Sequence, residues 1–148
     1  MAFTSINPAT GTEIEQYVVH SPDEVETRLD RAESAFRANR QRSFDARARR
    51  LEKAADLLEN RADEYGALMT REMGKPIDQA EGEAEKCAWV CRYYAEHGAD
   101  FLADEAVETD AQASYVAYEP LGAILAIMPW NFPFWQLFRF GAPALMAG

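Results

Sequence analysis

Asn131 and Arg139 are the residues whose chemistry stands out in the apolar-rich C-terminal segment of the sequence. The side-chain amide of Asn131 can donate a hydrogen bond to an oxyanion that develops on a substrate. An asparagine just before a helix can instead cap that helix, and the residues taken alone favour this structural role. Both roles of Asn131 therefore remain open on the residues alone.

Arg139 is the only charged residue between Pro120 and Gly148. An arginine in an apolar run is costly unless its guanidinium group reaches water or meets an anion. A side chain that extends to water is the structural interpretation. The functional interpretation is a bidentate contact to a carboxylate or a phosphate.

The other reactive side chains do not form a recognisable catalytic arrangement. Cys87 and Cys91 lie four residues apart in a predicted helix, which is typical of two small residues on one helix face. A disulfide within one helical turn is geometrically awkward, and a metal site needs more ligands than these two. His20 and His97 are isolated histidines in turn-like positions, where we expect surface residues. We predict no metal site, and the sequence has no glycine-rich phosphate-binding motif.

Composition excludes several classes of partner. The chain has 148 residues and a formal net charge of −10 at pH 7, which disfavours binding to nucleic acid or to an anionic membrane. The apolar-rich stretch 121–148 is broken by three prolines and is a poor membrane span. The first residues show no secretory signal, and the cysteines suit a reducing compartment. We therefore expect a cytoplasmic protein.

Turn and cap residues predict a mainly helical first hundred residues. Residues 5–14 are predicted to form a turn between short extended pieces. Ser21 and Glu24 form a capping-box pattern that begins a helix. A second helix begins after Ser43 and ends at Gly74–Pro76, and a third runs from about Ile77 to His97 and stops at Gly98.

The pattern changes after residue 100. The segment 112–118 is predicted as a strand. The continuous apolar run 123–128 suits a strand that is covered on both faces of a parallel sheet. A loop over 129–133 and a helix over 134–147 follow, so the loop lies at the ligand-binding end of that strand. One buried strand and its helix cannot form a core alone, so we expect the natural chain to be longer.

Several motifs in this order resemble the aldehyde dehydrogenase superfamily, and within it the succinate-semialdehyde dehydrogenases. The most specific is Met128-Pro129-Trp130-Asn131-Phe132-Pro133 with the trailing Gly141-Ala142-Pro143-Ala144-Leu145-Met146-Ala147-Gly148. The weaker ones are Pro120-Leu121-Gly122, Glu72-Met73-Gly74-Lys75-Pro76 and Asn7-Pro8-Ala9-Thr10-Gly11. The resemblance covers the whole chain and identifies it as the N-terminal part of such an enzyme.

The resemblance implies an NAD(P)-dependent oxidation of an aldehyde to a carboxylic acid, with NADP or NAD as the cofactor. In that family a cysteine thiolate attacks the aldehyde, hydride passes to the nicotinamide, and a glutamate-activated water hydrolyses the thioester. By position, the resemblance makes Asn131 the oxyanion-hole amide, lines the cofactor with Ile127, Met128, Pro129 and Trp130, and places Phe132, Gln136 and Arg139 on the substrate tunnel. Arg139 would bind the carboxylate of succinate semialdehyde, which narrows the substrate to a carboxylate-bearing aldehyde.

The resemblance also implies an α/β fold in which the chain has three regions. Residues 1–100 would be the mainly helical N-terminal part of the cofactor domain, 101–119 the projecting oligomerisation strands, and 120–148 the first strand-loop-helix of a doubly wound, Rossmann-like domain. A homo-oligomer, either dimer or tetramer, is the expected assembly.

The catalytic cysteine, the general-base glutamate and the glycine-rich cofactor loop of the family would lie beyond Gly148. We therefore expect these 148 residues alone to be inactive. The residues by themselves leave a second interpretation open, a non-catalytic helical interaction module that presents its apolar C-terminal segment to a partner.

Overall fold

The computed structural model describes residues 2–148, which form five helices and two small antiparallel sheets. The helices are α1 Pro22–Asn39, α2 Phe44–Asn60, α3 Ala62–Met73, α4 Ile77–Phe101 and α5 Pro133–Ala147. The strands are β1 Ala2–Ile6, β2 Glu13–Val18, β3 Glu105–Ala106 and β4 Tyr115–Val116. Within residues 2–148, no helix is both long and apolar enough to cross a membrane.

The N-terminal hairpin has the turn that its sequence predicts. β1 pairs with β2 in antiparallel register, and residues 7–12 connect them. The Asn7 side chain accepts a hydrogen bond from the backbone N–H of Ala9 at 2.9 Å. Gly11 has a φ of +73°, a left-handed conformation that glycine adopts without a steric penalty. The prediction of a turn between extended pieces is confirmed.

Helix α1 begins with the predicted capping box. The Ser21 hydroxyl accepts from the Glu24 backbone N–H at 3.2 Å, and the Glu24 carboxylate accepts from the Ser21 backbone N–H at 2.7 Å. The two hydrogen bonds satisfy groups that a helix terminus otherwise leaves free. No residue of α1 is buried, so this helix lies on the outside of the helical core.

The predicted second helix is divided into α2 and α3. The break falls at Arg61, whose φ of −126° and ψ of 24° are not helical. The sequence contains neither glycine nor proline at this point, and its apolar spacing continues across it, so the pattern gave no signal of a break. The predicted end is confirmed: Gly74 adopts a φ of +73° and its N–H donates to the Thr70 carbonyl at 2.9 Å.

Helix α4 does not stop at Gly98, which corrects the prediction. It continues to Phe101, and Gly98 is buried within it. A β-carbon at Gly98 would collide with the side chain of Met146 on α5. The glycine is therefore required for the close approach of two helices and not for a helix end.

The core is formed mainly by α2, α4 and α5. Its buried apolar members lie on these three helices: Leu51, Ala55, Leu58, Cys87, Ala88, Val90, Cys91, Ala142 and Met146. Cys87 and Cys91 are free thiols within it, as expected for small residues on one helix face. The core fixes α5 against α4, and α5 carries two of the predicted site residues, Gln136 and Arg139.

The segment 123–128 is not the buried strand that its apolar run predicts. It has no regular secondary structure, and Leu125 and Ile127 are 84% and 86% exposed. A strand exists only when neighbouring strands accept and donate its backbone hydrogen bonds, and no other part of residues 2–148 pairs with this segment. The strand predicted over 112–118 is reduced to β4, whereas the helix predicted over 134–147 is present as α5.

Candidate functional site

A buried ion pair holds the start of α5. One carboxylate oxygen of Glu83, on α4, accepts hydrogen bonds from the backbone N–H groups of Phe134 and Trp135, both at 2.9 Å. The other oxygen pairs with the ammonium group of Lys75. The side chains of Lys75 and Glu83 are only 7% and 2% exposed. A buried charge is costly without a partner, and here Lys75 and the N–H groups of the helix N-terminus together stabilise the Glu83 carboxylate.

The other end of α5 is held by a charge of opposite sign. The guanidinium group of Arg47, on α2, donates to the Met146 carbonyl at 2.8 Å. A negative group at the N-terminus and a positive group at the C-terminus both complement the helix macrodipole. Helix α5 is therefore fixed at both ends by side chains of other helices.

Asn131 does not cap α5, although the residues alone favoured that role. The N-cap residue is Phe132, which makes no side-chain capping hydrogen bond. Glu83 takes the place of a local cap from 51 residues away in sequence. Because Glu83 binds the free N–H groups, the amide of Asn131 is not needed for capping and remains available to the site.

A cavity of about 480 Å³ opens beside the start of α5. Four residues that the resemblance placed in the site line it: Asn131, Phe132, Gln136 and Arg139. Residues 74–76, which connect α3 to α4, are called the Lys75 loop. The remaining lining residues come from this loop, from α4 and from α5: Lys75, Gln79, Gly82, Glu83, Lys86 and Trp135. The structure thus brings together one predicted oxyanion donor and the three predicted tunnel residues.

The cavity lining carries an excess of positive charge. Lys75, Lys86 and Arg139 supply three cations, and Glu83 supplies the one carboxylate, which Lys75 already pairs. Arg139 is exposed at the cavity and makes no salt bridge within residues 2–148. An anionic ligand is therefore favoured over a cationic one.

Two of these cations lie over aromatic rings. The Lys75 ammonium group lies 4.0 Å from the centre of the Phe132 ring, and the Lys86 ammonium group lies 4.1 Å from the Trp135 ring. A cation over an aromatic face is attracted by the ring quadrupole, and this attraction restrains both partners. The ring of Phe132 is consequently restrained by the Lys75 loop, and the ring of Trp135 is restrained by α4.

The four residues predicted to face the cofactor do not line this cavity. Ile127, Met128, Pro129 and Trp130 lie in the irregular segment that leads to it, and Trp130 is 76% exposed. Their side chains carry no charge, so they offer apolar surface and backbone groups to a ligand. The structure places them next to Asn131 along the chain and leaves them accessible.

The two cysteines are poor nucleophiles in this fold. Burial, with the neighbouring Glu83 carboxylate, raises the pKa of the Cys87 thiol to about 12. Burial also raises the pKa of Cys91 to about 11. A nucleophilic cysteine must be a thiolate near neutral pH, so neither residue can serve as one.

Lys75, Glu83 and Lys86 are site residues that the sequence interpretation did not assign. Glu83 had a detectable signal, because it shares the apolar face of α4 with Cys87, four residues on. An acidic residue on a buried helix face must find a cation or several hydrogen-bond donors. Its partners, however, lie on elements whose proximity the sequence does not show.

The sequence model described as the aldehyde dehydrogenase family matches residues 1–148. The chain belongs to this family. The family assignment confirms the resemblance drawn from the motifs around Asn131, and nothing in the comparisons supports the alternative of a non-catalytic interaction module.

Curated relatives agree with the family assignment. The chain is 57% identical over 148 residues to a probable succinate-semialdehyde dehydrogenase [NADP(+)] of Synechocystis sp., and the match covers 100% of this chain and 33% of that relative. It is 51% identical over 151 residues to succinate-semialdehyde dehydrogenase [NADP(+)] 1 of Mycobacterium tuberculosis, again with 100% and 33% coverage. The chain spans about a third of the length of these relatives.

Solved structures show that the fold is shared as well. The crystal structure of succinic semialdehyde dehydrogenase from Streptococcus pyogenes, in complex with NADP+, superimposes with a TM-score of 0.93 at 32% sequence identity. The superposition covers 99% of this chain and 32% of that structure. The arrangement of helices and hairpins over residues 2–148 is therefore that of the aldehyde dehydrogenase fold, as the sequence predicted.

Proposed function

We propose that the complete protein carrying this chain oxidises succinate semialdehyde, or a similar carboxylate-bearing aldehyde, to the acid with NADP+ or NAD+. The observation that carries the proposal is the convergence of Asn131 and Arg139 on one positively charged cavity in a member of the aldehyde dehydrogenase family. The similar relatives named as succinate-semialdehyde dehydrogenases support this choice of substrate.

Arg139 is proposed to bind the carboxylate at the far end of the substrate. Its guanidinium group is exposed at the cavity and unpaired within residues 2–148, so it has no competing anion to displace there. A planar guanidinium group matches a carboxylate through two parallel hydrogen bonds. Phe132 and Gln136, on the same cavity, would form the wall along which the carbon chain of the substrate lies.

Asn131 is proposed to stabilise the oxyanion of the reacting aldehyde. It lies on the cavity, immediately before the start of α5, and α5 does not use it as a cap. A side-chain amide N–H aimed at the carbonyl oxygen stabilises the negative charge that develops when a nucleophile attacks the carbon.

Ile127, Met128, Pro129 and Trp130 are proposed to contact the cofactor. When bound, NADP+ or NAD+ supplies the hydride acceptor. The four residues fit the nicotinamide and ribose end of such a cofactor, because they are uncharged, Ile127 and Trp130 are largely exposed, and the segment leads directly to Asn131. They provide no positive charge for a 2′-phosphate, so they do not favour NADP over NAD.

The nucleophile of the reaction is not Cys87 or Cys91, since both are buried thiols of raised pKa. A polypeptide of residues 1–148 alone is therefore expected to produce no NADPH or NADH with succinate semialdehyde.

We further propose that residues 101–119, which include the β3–β4 hairpin, contribute to a homo-oligomer. Exposed apolar side chains on this hairpin, such as Tyr115 and Val116, support that role.

Steady-state kinetics of the complete protein test the proposed function. Reduction of NADP+ or NAD+ is followed with succinate semialdehyde and with butanal, a neutral aldehyde of the same chain length. We expect kcat/KM to be higher for succinate semialdehyde by on the order of a hundredfold, the value of a desolvated charge contact. Equal kcat/KM values would exclude a carboxylate-specific site, and no oxidation of either aldehyde would overturn the proposed activity.

A further inference from the structure

The Glu83 carboxylate connects the start of α5 to the Lys75 loop. Its Oε1 atom accepts from the backbone N–H groups of Phe134 and Trp135 at 2.9 Å each. Its Oε2 atom pairs with Lys75, whose ammonium group lies 4.0 Å from the ring centre of Phe132. One buried carboxylate thus contacts α5 directly and, through Lys75, the residue that follows Asn131.

The backbone donors of the first turn of α5 show why this carboxylate matters. Pro133 has no N–H group, and the N–H of Gln136 donates to the Phe132 carbonyl at 2.9 Å. The two remaining donors, on Phe134 and Trp135, are both bound by Glu83. The N-cap residue Phe132 offers no side-chain acceptor, so Glu83 supplies the hydrogen bonds that a local cap normally provides.

We propose that Glu83 is a positioning residue for aldehyde oxidation, because it fixes the first turn of α5 and thereby places the amide of Asn131 at the reacting carbonyl. Lys75 acts with it by orienting the carboxylate and by holding the ring of Phe132. This inference rests on the proposed function, since Asn131 is the oxyanion donor only if the protein oxidises an aldehyde.

The fold separates this effect from substrate binding by Arg139. Arg139 lies in the second turn of α5. The C-terminal half of this helix is anchored by the buried residues Ala142 and Met146 and by the hydrogen bond from Arg47 to the Met146 carbonyl. Loss of the acceptor at Glu83 frees the first turn and the residues just before it. Asn131 is therefore displaced more than Arg139, and kcat changes while KM for a carboxylate-bearing aldehyde does not.

Two double variants of the complete protein isolate the role of the acceptor. Lys75→Met with Glu83→Leu removes both charges and the acceptor, and avoids an unpaired buried charge. Lys75→Met with Glu83→Gln removes the same charges but retains a carbonyl oxygen for the N–H groups of α5. With succinate semialdehyde and NADP+, we expect kcat of the leucine variant to be at least about tenfold lower than that of the glutamine variant, with KM values within about twofold.

The same pair is then measured in an Asn131→Ala background. If Glu83 acts through Asn131, removal of the amide also removes the difference in kcat between the leucine and glutamine variants. Equal kcat values in the presence of Asn131, or a difference that persists in the alanine background, would overturn the inference. Glu85→Gln is the matched control, because Glu85 is an exposed acid on the same helix and makes no hydrogen bond in the described residues.

A variant that does not fold leaves the test intact. Thermal unfolding of each variant identifies such a case. The single variant Glu83→Asp, with Lys75 retained, is then compared with the unaltered protein. It keeps the negative charge but withdraws the carboxylate by one methylene group. Its loss of kcat is expected with Asn131 present and is expected to vanish in the Asn131→Ala background; equal fractional losses in both would count against the inference. Absence of aldehyde oxidation in the unaltered protein instead refutes the proposed function, so the two failures are distinct.

Discussion

Gly98 of α4 lies against the side chain of Met146 of α5, with no room for a β-carbon between them. Both residues are buried, and their contact sets how closely the two helices approach. Because α5 carries Arg139 and starts beside Asn131, this contact also fixes the distance between the proposed substrate-binding helix and the rest of the core.

Substitution of Gly98 by alanine is expected to destabilise the complete protein. The added methyl group has to displace Met146 or separate α4 from α5, at a cost of about 1–3 kcal/mol for overpacking a core. Thermal unfolding measures the effect as a lower midpoint. Gly82→Ala is the control on the same helix, because a β-carbon there meets no atom within 4 Å. It is expected to stabilise the helix by about 0.5–1 kcal/mol, and equal shifts for the two variants would contradict the close-approach role.

Substitution of Arg139 by alanine is expected to raise KM for succinate semialdehyde by on the order of a hundredfold and to spare a neutral aldehyde. The loss corresponds to a few kcal/mol for one desolvated contact between a guanidinium group and a carboxylate. Steady-state kinetics with succinate semialdehyde and butanal provide the comparison. Similar changes for both aldehydes would show that Arg139 is structural. Arg37→Ala is a suitable control, because Arg37 is an exposed arginine whose salt bridge within residues 2–148 is to Glu33 on α1.

Substitution of Asn131 by alanine is expected to lower kcat by roughly 10²-fold, the usual effect of removing one oxyanion donor. Binding of the aldehyde is expected to change little, because the hydrogen bond strengthens only as negative charge develops. The thermal unfolding midpoint is expected to remain unchanged, since Glu83 and not Asn131 holds the start of α5. A lower midpoint together with an unaltered kcat would restore the capping role and remove the catalytic one.

The two core thiols are expected to make the fold sensitive to alkaline pH. Their folded pKa values of about 12 and about 11 lie above the ordinary value of 9.0, so the folded state binds more protons than the unfolded state above pH 9. Their contribution to the free energy of unfolding is complete below pH 9 and is lost as the pH rises through the pKa values of the folded state. At pH 10 the loss is about 1 kcal/mol per thiol.

Denaturant unfolding at pH 8 and pH 10 measures this effect in the complete protein. The matched variant is Cys87→Ala with Cys91→Ala, which removes both thiols and leaves every other residue unchanged. We expect the variant to lose less stability than the unaltered protein between the two pH values. Identical losses would mean that the thiols are more accessible than their complete burial indicates.

Local features of the fold were readable from the sequence because they depend on neighbouring residues. Ser21 and Glu24 lie within one helical turn, so their capping box is encoded in four residues. Gly74, followed by Pro76, likewise marks a helix end without reference to the rest of the chain. The motif around Asn131 was specific enough to indicate the family.

Other local patterns predicted the wrong secondary structure, because contacts with residues distant in sequence determine the conformation there. Gly98 resembles a helix end in sequence, but Met146 requires it as a point of close approach. The apolar run 123–128 resembles a buried strand, yet a strand forms only against partners, and within residues 2–148 it has none. The break at Arg61 leaves the apolar spacing undisturbed and so had no sequence signal.

The motif around Asn131 and the helical pattern around Arg139 were enough to indicate the family, the last helix and the residues proposed to act on the substrate. The contacts that hold these residues in place depend on the folded chain. Glu83 binds the start of α5 across 51 residues, and Arg47 binds its end across 99. Sequence patterns report interactions over one or two helical turns, whereas a buried charge is stabilised by whichever partners the fold brings to it. Because Glu83 binds the N–H groups at the start of α5, Asn131 is not needed as a cap.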